Sequence, residues 1–493
     1  MRRGAWIGWL AGAAIAVVGT APASAVEPWS GFRGRGDGHA DEQTLPWAWE
    51  ARGREPGNWS IRLPGYGQSS PVTWGETVFV TSVSGDEKEH LHLTAINLAD
   101  GSVRWQRDFE GTQRVRDSDA VSRAAPTPVV DAERVYAVFE SGDVFALSHA
   151  GEALWQRSFV KDYGEIKGPH GYASSPLLVN DLLVLQVAHG GPSYVLALDV
   201  KTGENRWKVE HPSQTGWSSP VARRHGDRSE IIVSTSGSVR ALDAATGASL
   251  WSTEAISGNT TASPTIAGDY VIIGSGGDRS GGRRRGGAPT PEGAKDAADG
   301  KPMGDAKPAS EVKPASEVKP AGDPKPAGEG GPAAEGEAAA KPAQNPAVAS
   351  AALGSAALRL DAAGDSSESR VAWRCREAAT GYASPVVVGN EVYFVNRVGV
   401  AICVDLATGA VRWQHRLPGE VWASPIANNG HVTFFGKSGF VVTLKGGPEL
   451  VEVAESQVST TDVVYGVAAV ADSWVIRTGR GLQRISNPSG EAR

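Results

Sequence analysis

The sequence predicts an all-β fold, an eight-bladed β-propeller of four-stranded antiparallel blades, and three observations predict it. A Ser-Pro step or its variant recurs at Pro71, Pro128, Pro176, Pro220, Pro264, Pro385 and Pro425. A tryptophan recurs eight residues after an Asp or Asn that is itself followed, four residues on, by glycine. The two ends of the repeat region also complete each other: an orphan strand around Trp59 matches a last repeat that stops after three strands. Four short strands per unit of about 40 to 50 residues is the arithmetic of a propeller blade. Composition agrees, since 61 glycines, 30 prolines and 16 tryptophans against two methionines and two cysteines exclude helix bundles, zinc modules and small disulfide scaffolds. The net charge of −7 provides no uniform positive field for nucleic acid.

Residues 1–25 are expected to be an export signal. Arg2 and Arg3 precede the apolar run Ala5 to Val18, and Ala23-Ser24-Ala25 offers small residues for cleavage, so the mature chain is expected to start at Val26. The paired arginines leave the general and twin-arginine routes both open. No cysteine follows the apolar run to carry a lipid, and no later stretch is long and apolar enough to span a bilayer. A periplasmic or extracellular protein is expected. Residues 26–57 form an N-terminal segment without repeat character, and the propeller is expected over 58–277 and 356–487, with a tail at 488–493.

Within each repeat, short β-branched and aromatic runs read as second strands: Val78-Phe79-Val80, Val135 to Val138, Leu182 to Leu185, Ile231 to Val233, Tyr270 to Ile273, Val392 to Val395 and Val432 to Phe435. Third strands of the type Ala197-Leu198-Asp199 lead into the turn. There Asn97, Asp199, Asp243 and Asp405 can accept backbone N–H bonds, while Gly101, Gly203, Gly247 and Gly409 supply positive φ. The tryptophans of the fourth strands, Trp59, Trp105, Trp155, Trp207, Trp251, Trp373 and Trp413, are expected to fill the wedges between blades. Val451 marks the eighth fourth strand, and the strand at Trp59 is expected to close the ring against the last blade.

One repeat is interrupted. Pro220 to Trp251 spans 31 residues, but Pro264 to Trp373 spans 109. The excess, residues 278–355, is rich in Pro, Ala, Gly, Lys and Glu, with tandem hexapeptides starting at Lys301, Lys307, Lys313, Lys319 and Lys325. Such a segment cannot bury enough apolar surface to order itself, so it is expected to be a disordered loop of blade five, either a spacer or a tether with Arg283-Arg284-Arg285 as its anionic contact.

The Ala-x-Asp-x-x-Thr-Gly-x-x-x-Trp units resemble the pyrroloquinoline quinone (PQQ) type propeller repeat. The stretch Trp29-Ser30-Gly31-Phe32-Arg33-Gly34 with Asp37-Gly38 resembles the opening motif of exported bacterial PQQ-like propellers. This repeat is shared by quinone-dependent dehydrogenases and by the propeller subunit of the outer-membrane barrel assembly machinery, so the resemblance implies the fold more than the function. The dehydrogenases imply an adjacent cysteine pair, a Glu/Asn/Asp calcium set and an aspartate base. Here Cys375 and Cys403 are far apart in sequence and are expected to be reduced and packed, no calcium cluster stands out, and no haem-attachment motif occurs.

Binding has better material. The innermost strands are expected to begin just before each Ser-Pro, so that their entrances ring the central channel. Gln68, Arg123, His170, Tyr172, Trp217, Tyr382, Trp422 and Tyr465 stand there, an aromatic and hydrogen-bonding set suited to a peptide, glycan or flat ring. His170 sits on a Gly/Pro-rich turn with no second histidine in its motif, which points away from a metal ligand. The resulting reading is a monomeric, non-catalytic binding scaffold of the cell envelope, with a protein, peptide or glycan partner and no cofactor. The alternative is a PQQ-dependent alcohol or sugar dehydrogenase with PQQ and calcium.

Overall fold

The computed structural model describes residues 27–50, 57–118, 121–168, 170–212, 214–254, 256–276, 354–362 and 369–487. The expected export signal and nearly all of the 278–355 segment lie outside them. Among the described residues are eight four-stranded antiparallel sheets, the blades of a propeller. Blade 1 comprises Val72–Trp74, Thr77–Ser84, His90–Asn97 and Val103–Glu110, and blades 2 to 4 repeat this order to Thr253. Blade 8 takes its first three strands from Val464–Val470, Ser473–Thr478 and Gly481–Ser486, and its fourth from Trp59–Arg62, which pairs antiparallel with the third. The second and third strands of each blade are almost wholly buried, because both of their faces meet neighbouring blades. The fourth strands alternate intermediate and exposed residues, as an outer edge requires.

Two details differ from the sequence reading. Each innermost strand begins after the Ser-Pro proline and not before it, as at Val72, Leu177, Thr265 and Val386. Proline has no N–H to give a ladder, and the serine is engaged elsewhere. The backbone N–H of Ser70, Thr127, Ser175, Ser219, Ser263 and Ser384 each donates to the hydroxyl of the corresponding residue of the next blade, from Thr127 round to Ser424, at 2.8–3.0 Å. A collar of six such bonds joins blades 1 to 7. In blade five the second strand is Tyr270–Ile273, and Ser275–Gly276 leaves the blade to pair in parallel with Ala379–Thr380. The third strand of that blade starts at Ser355, inside the stretch assigned to the insertion, and runs to Arg359.

The outer joint is equally regular. The indole N–H of Trp59, Trp105, Trp155, Trp207 and Trp373 donates to the carbonyl of Leu98, His149, Val200, Ala244 and Leu406, in each case on the next blade, at 2.7–3.0 Å. The ring face lies against the turn glycine of that blade: a Cβ at Gly203 would stand 2.7 Å from Trp155. These glycines hold φ of +72° to +74° at 101, 203, 247 and 409, so the position excludes a side chain both by conformation and by space. The turn itself is held by its Asp: Asp199 accepts from the N–H groups of Lys201 and Thr202 at 2.8 and 3.0 Å, which holds its carboxyl below the usual range. Trp251 and Trp413 face blades 5 and 7, whose turns lack the Asp-x-x-Thr-Gly sequence, and their indole N–H groups are buried without an acceptor.

The N-terminal segment packs against the inner strands and their turns. Trp29 and Thr73, Ser30 and Val130, Arg33 and Thr265, Ala40 and Ala427, and Thr44 and Ala471 are hydrogen-bonded pairs, and Arg33 also reaches the Pro385 carbonyl. One segment thus touches blades 1, 2, 5, 6, 7 and 8. Arg33 is buried, which pushes its guanidinium down to about 10 despite the nearby Asp37. Cys375 and Cys403 are both free and buried, in blades 5 and 6.

Candidate channel-mouth binding site

The residues preceding each Ser-Pro step stand at the start of the inner strands, at the end of the channel away from the turns that meet the N-terminal segment. From blade 6 onward they touch one another in sequence. Tyr382 and Trp422 meet edge to face at 5.1 Å, Trp422 and Tyr465 at 5.7 Å, and Tyr465 meets Tyr66 at 6.0 Å with the two hydroxyls 2.9 Å apart. The Arg123 guanidinium lies 4.8 Å over the Tyr66 ring, and Arg123 and Gln68 are joined by two hydrogen bonds of 3.0 Å. The arc continues through the backbone bond from Ser122 to the His170 carbonyl and the 5.5 Å contact between His170 and Trp217. The Trp217 indole N–H is held by the Gly171 carbonyl at 2.9 Å. Seven of the eight expected residues therefore form a continuous arc over blades 6, 7, 8, 1, 2, 3 and 4. Tyr172 is the exception. It is 3% exposed and packs at 5.4 Å against Phe159 in the core of blades 2 and 3.

Sequence reasoning missed Tyr66 and the cations that sit on the arc. Arg397 lies over Tyr382 at 5.7 Å, Lys437 over Trp422 at 4.6 Å, and Arg480 over Tyr66 at 5.6 Å. All three come from the turn between second and third strands, in Asn396-Arg397-Val398-Gly399, Gly436-Lys437-Ser438-Gly439 and Gly479-Arg480-Gly481. A basic residue within two positions of a turn glycine in three successive repeats was the signal available for them. Lys437 is also paired with Glu420 at 2.7 Å, which lowers the Glu420 carboxyl. Burial, the bond to Tyr465 and the neighbouring Asp462 all raise the Tyr66 hydroxyl, so the phenol stays neutral. Beneath this pair Arg477 is fully buried, donating to the carbonyls of Gly67, Thr81 and Gly479, and desolvation pushes it down to about 9 against the pull of Asp462.

A cavity of about 660 Å³ lies along the N-terminal segment, lined by Glu27, Arg35, Asp37, Asp41, Asp269 and others, and it contains none of the expected residues. Among the described residues no group of three or more His, Cys, Asp or Glu side chains could hold a metal ion, and no helix is long and apolar enough to cross a membrane.

Comparison with known proteins places the chain. It is 25% identical over 223 residues to the outer membrane protein assembly factor BamB of Moranella endobia (strain PCIT), covering 44% of this chain and 52% of that protein. The BamB of Yersinia pestis is 24% identical over 220 residues, 44% of this chain and 50% of that protein. The matches thus span about half the length of these relatives. The crystal structure of BamB from Moraxella catarrhalis superposes with a TM-score of 0.52 at 12% identity, covering 86% of this chain and 95% of that one. The quinohemoprotein alcohol dehydrogenase of Comamonas testosteroni superposes at 0.56 and 12% identity, covering 95% and 81%; both likenesses are of fold alone. The family model described as outer membrane protein assembly factor BamB matches residues 48–191, 191–284 and 357–474, and with that coverage the chain belongs to this family of PQQ-like propellers.

Proposed function

We propose that the protein is an exported binding scaffold of the cell envelope that holds a protein, peptide or glycan partner at the channel mouth. The observation that carries this reading is the unbroken series of ring contacts from Tyr382 to Tyr66, with Arg397, Lys437, Arg480 and Arg123 laid on its faces. Aromatic and arginine side chains are the usual anchors of an interface, and rings already packed against one another lose little entropy when a partner arrives. The cations favour a partner with carboxylates or other anionic groups. Membership of a family described by outer-membrane protein assembly is consistent with an envelope partner.

The test compares Trp422→Ala and Tyr382→Ala with Trp207→Ala. Tyr382 is 38% exposed, so its loss should leave stability within about half a kcal/mol, whereas truncating a tryptophan packed between blades should cost about 3 to 5 kcal/mol. Affinity capture from the native envelope should fall at least about tenfold for the two mouth variants. Equal capture by wild type and both variants would remove the mouth as the site.

The quinone alternative does not fit the residues present. Cys375 and Cys403 lie in different blades, and neither is paired. Addition of PQQ with calcium to the purified protein should give no saturable binding and no dye-linked oxidation of alcohols or sugars; quinone-dependent turnover would overturn the scaffold reading.

A further inference from the structure

The outer half of blade 1 carries a second polar group, separate from the mouth. On its last three strands Ser82 pairs with His92, Ser84 with His90, His92 with Asp108 and His90 with Glu110. Side chains two apart on a strand share a face, so Ser84, His92 and Asp108 stand side by side across three adjacent strands. The Ser84 Oγ is 2.8 Å from His92 Nε2, and His92 Nδ1 is 2.6 Å from Asp108 Oδ1. Directions follow from the chemistry. A carboxylate can only accept, so a proton is on Nδ1; when the ring carries that proton alone, Nε2 is an acceptor and the Ser84 hydroxyl is its donor.

The relay is held from outside. Gln106 Nε2 donates to the same Asp108 oxygen at 2.8 Å, and Phe109 on that strand stacks on Phe145 at 3.9 Å. Desolvation opposes the Asp108 charge, but the bonds from His92 and Gln106 outweigh it and keep the carboxyl low. His92 is only 8% exposed, and with Ser84, His90, Asp108, Phe109 and Glu110 it lines a cavity of about 340 Å³. The neighbouring His90 is engaged by Glu110 at 2.9 Å and lies 3.9 Å from Glu89, so it does not compete for Asp108.

We propose that Ser84, His92 and Asp108 form a nucleophilic relay that cleaves small, unhindered esters. Ser84 Oγ attacks the ester carbonyl carbon while its proton passes to His92 Nε2. The carbon–oxygen bond to the alcohol breaks, and that proton leaves on the alcohol. Water then attacks the acyl-serine with His92 again taking the proton, which returns to Ser84 as the carboxylic acid departs. Asp108 is a positioning residue that sets the tautomer. The shallow, open cavity, on the sheet face opposite to the one where Phe109 stacks on Phe145, admits a short acyl group and provides no room for a polymer to thread.

The experiment uses the full chain with diisopropyl fluorophosphate, whose P–F bond gives way to a bond from Ser84 Oγ, and with 4-nitrophenyl acetate. Peptide mapping should find one label per chain on Ser84. Ester turnover should fall at least about a hundredfold in Ser84→Ala and in His92→Gln. Ser84→Ala removes a single oxygen at the end of a strand, so it decides the question even if His92→Gln does not fold. The ring nitrogens of His92, read by ¹⁵N NMR, should show the Nδ1–H tautomer in wild type and lose that preference in Asp108→Asn. Label spread over other residues, ester turnover unchanged in Ser84→Ala, or an Nε2–H tautomer in wild type would each overturn the proposal.

Discussion

Deletion of residues 26–64 is expected to abolish cooperative melting and leave an aggregating protein. The deleted segment contains Trp59–Arg62, the outer partner of the Gly481–Ser486 strand among the described residues, and its loss exposes an unpaired edge in blade 8. It also contains the stretch from Trp29 to Thr44, and with it the Arg33 bonds to Thr265 and Pro385, leaving inner strands of six blades without their cover. Light scattering and calorimetry on the truncated chain check this. A soluble monomer with unchanged melting would mean that the ring is not closed by this strand.

The second large effect lies at the outer joint between blades 5 and 6. A Cβ at Gly409 would stand 2.6 Å from Trp373 Cδ2, and Gly409 has φ +72°. Gly409→Val should therefore cost about 2 to 6 kcal/mol, combining backbone strain of about 1 to 3 with overpacking of about 1 to 3. Trp373→Ala should cost about 3 to 5 kcal/mol by leaving a cavity where the indole is 6% exposed. If the two residues form one joint, the double variant should lose less than the summed costs by at least about 0.5 kcal/mol, since removing the indole relieves the clash. Denaturant titration of the four proteins measures the cycle, and strict additivity would show that the ring does not rest on the glycine.

Much of the architecture was legible because it is written once per blade. The spacing from Asp or Asn to Gly to Trp encodes a turn, a left-handed residue and an indole, so seeing it at Trp105, Trp207, Trp251 and Trp413 reveals the kind of joint that Trp59, Trp105, Trp155, Trp207 and Trp373 make with the next blade. The eighth blade was legible only by complementarity, from an orphan strand at Trp59 and three strands after Tyr465. The Ser-Pro steps marked the right places but their role was hidden, since a hydroxyl accepting from the preceding blade leaves no local pattern. The contacts of residues 29–44 were opaque for the opposite reason. Arg33 and Thr265 are 232 residues apart, and Arg33 belongs to no periodic feature. At the mouth, the aromatics before Ser-Pro were visible because that position is fixed in the repeat, whereas Arg397, Lys437 and Arg480 lie on hairpin turns of varying length. Tyr172 shows the limit of placement by register, since one rotated turn carries a residue from the channel into the core.

The closing strand has a kinetic consequence. Within the other blades every strand pair joins neighbours in sequence, and such hairpins form within microseconds of meeting. Asn58 and Ser486, bonded across the last pair, are 428 residues apart. During synthesis the strand at Trp59 emerges before the strands of the blades and has nothing to pair with until the last of them has followed it. The contact order of this one ladder far exceeds that of the blades, so its loop-closure entropy is paid last, after the hairpins are in place. Unfolding should run in reverse, with backbone amides of 59–62 and 481–486 exchanging with solvent before those of any other blade.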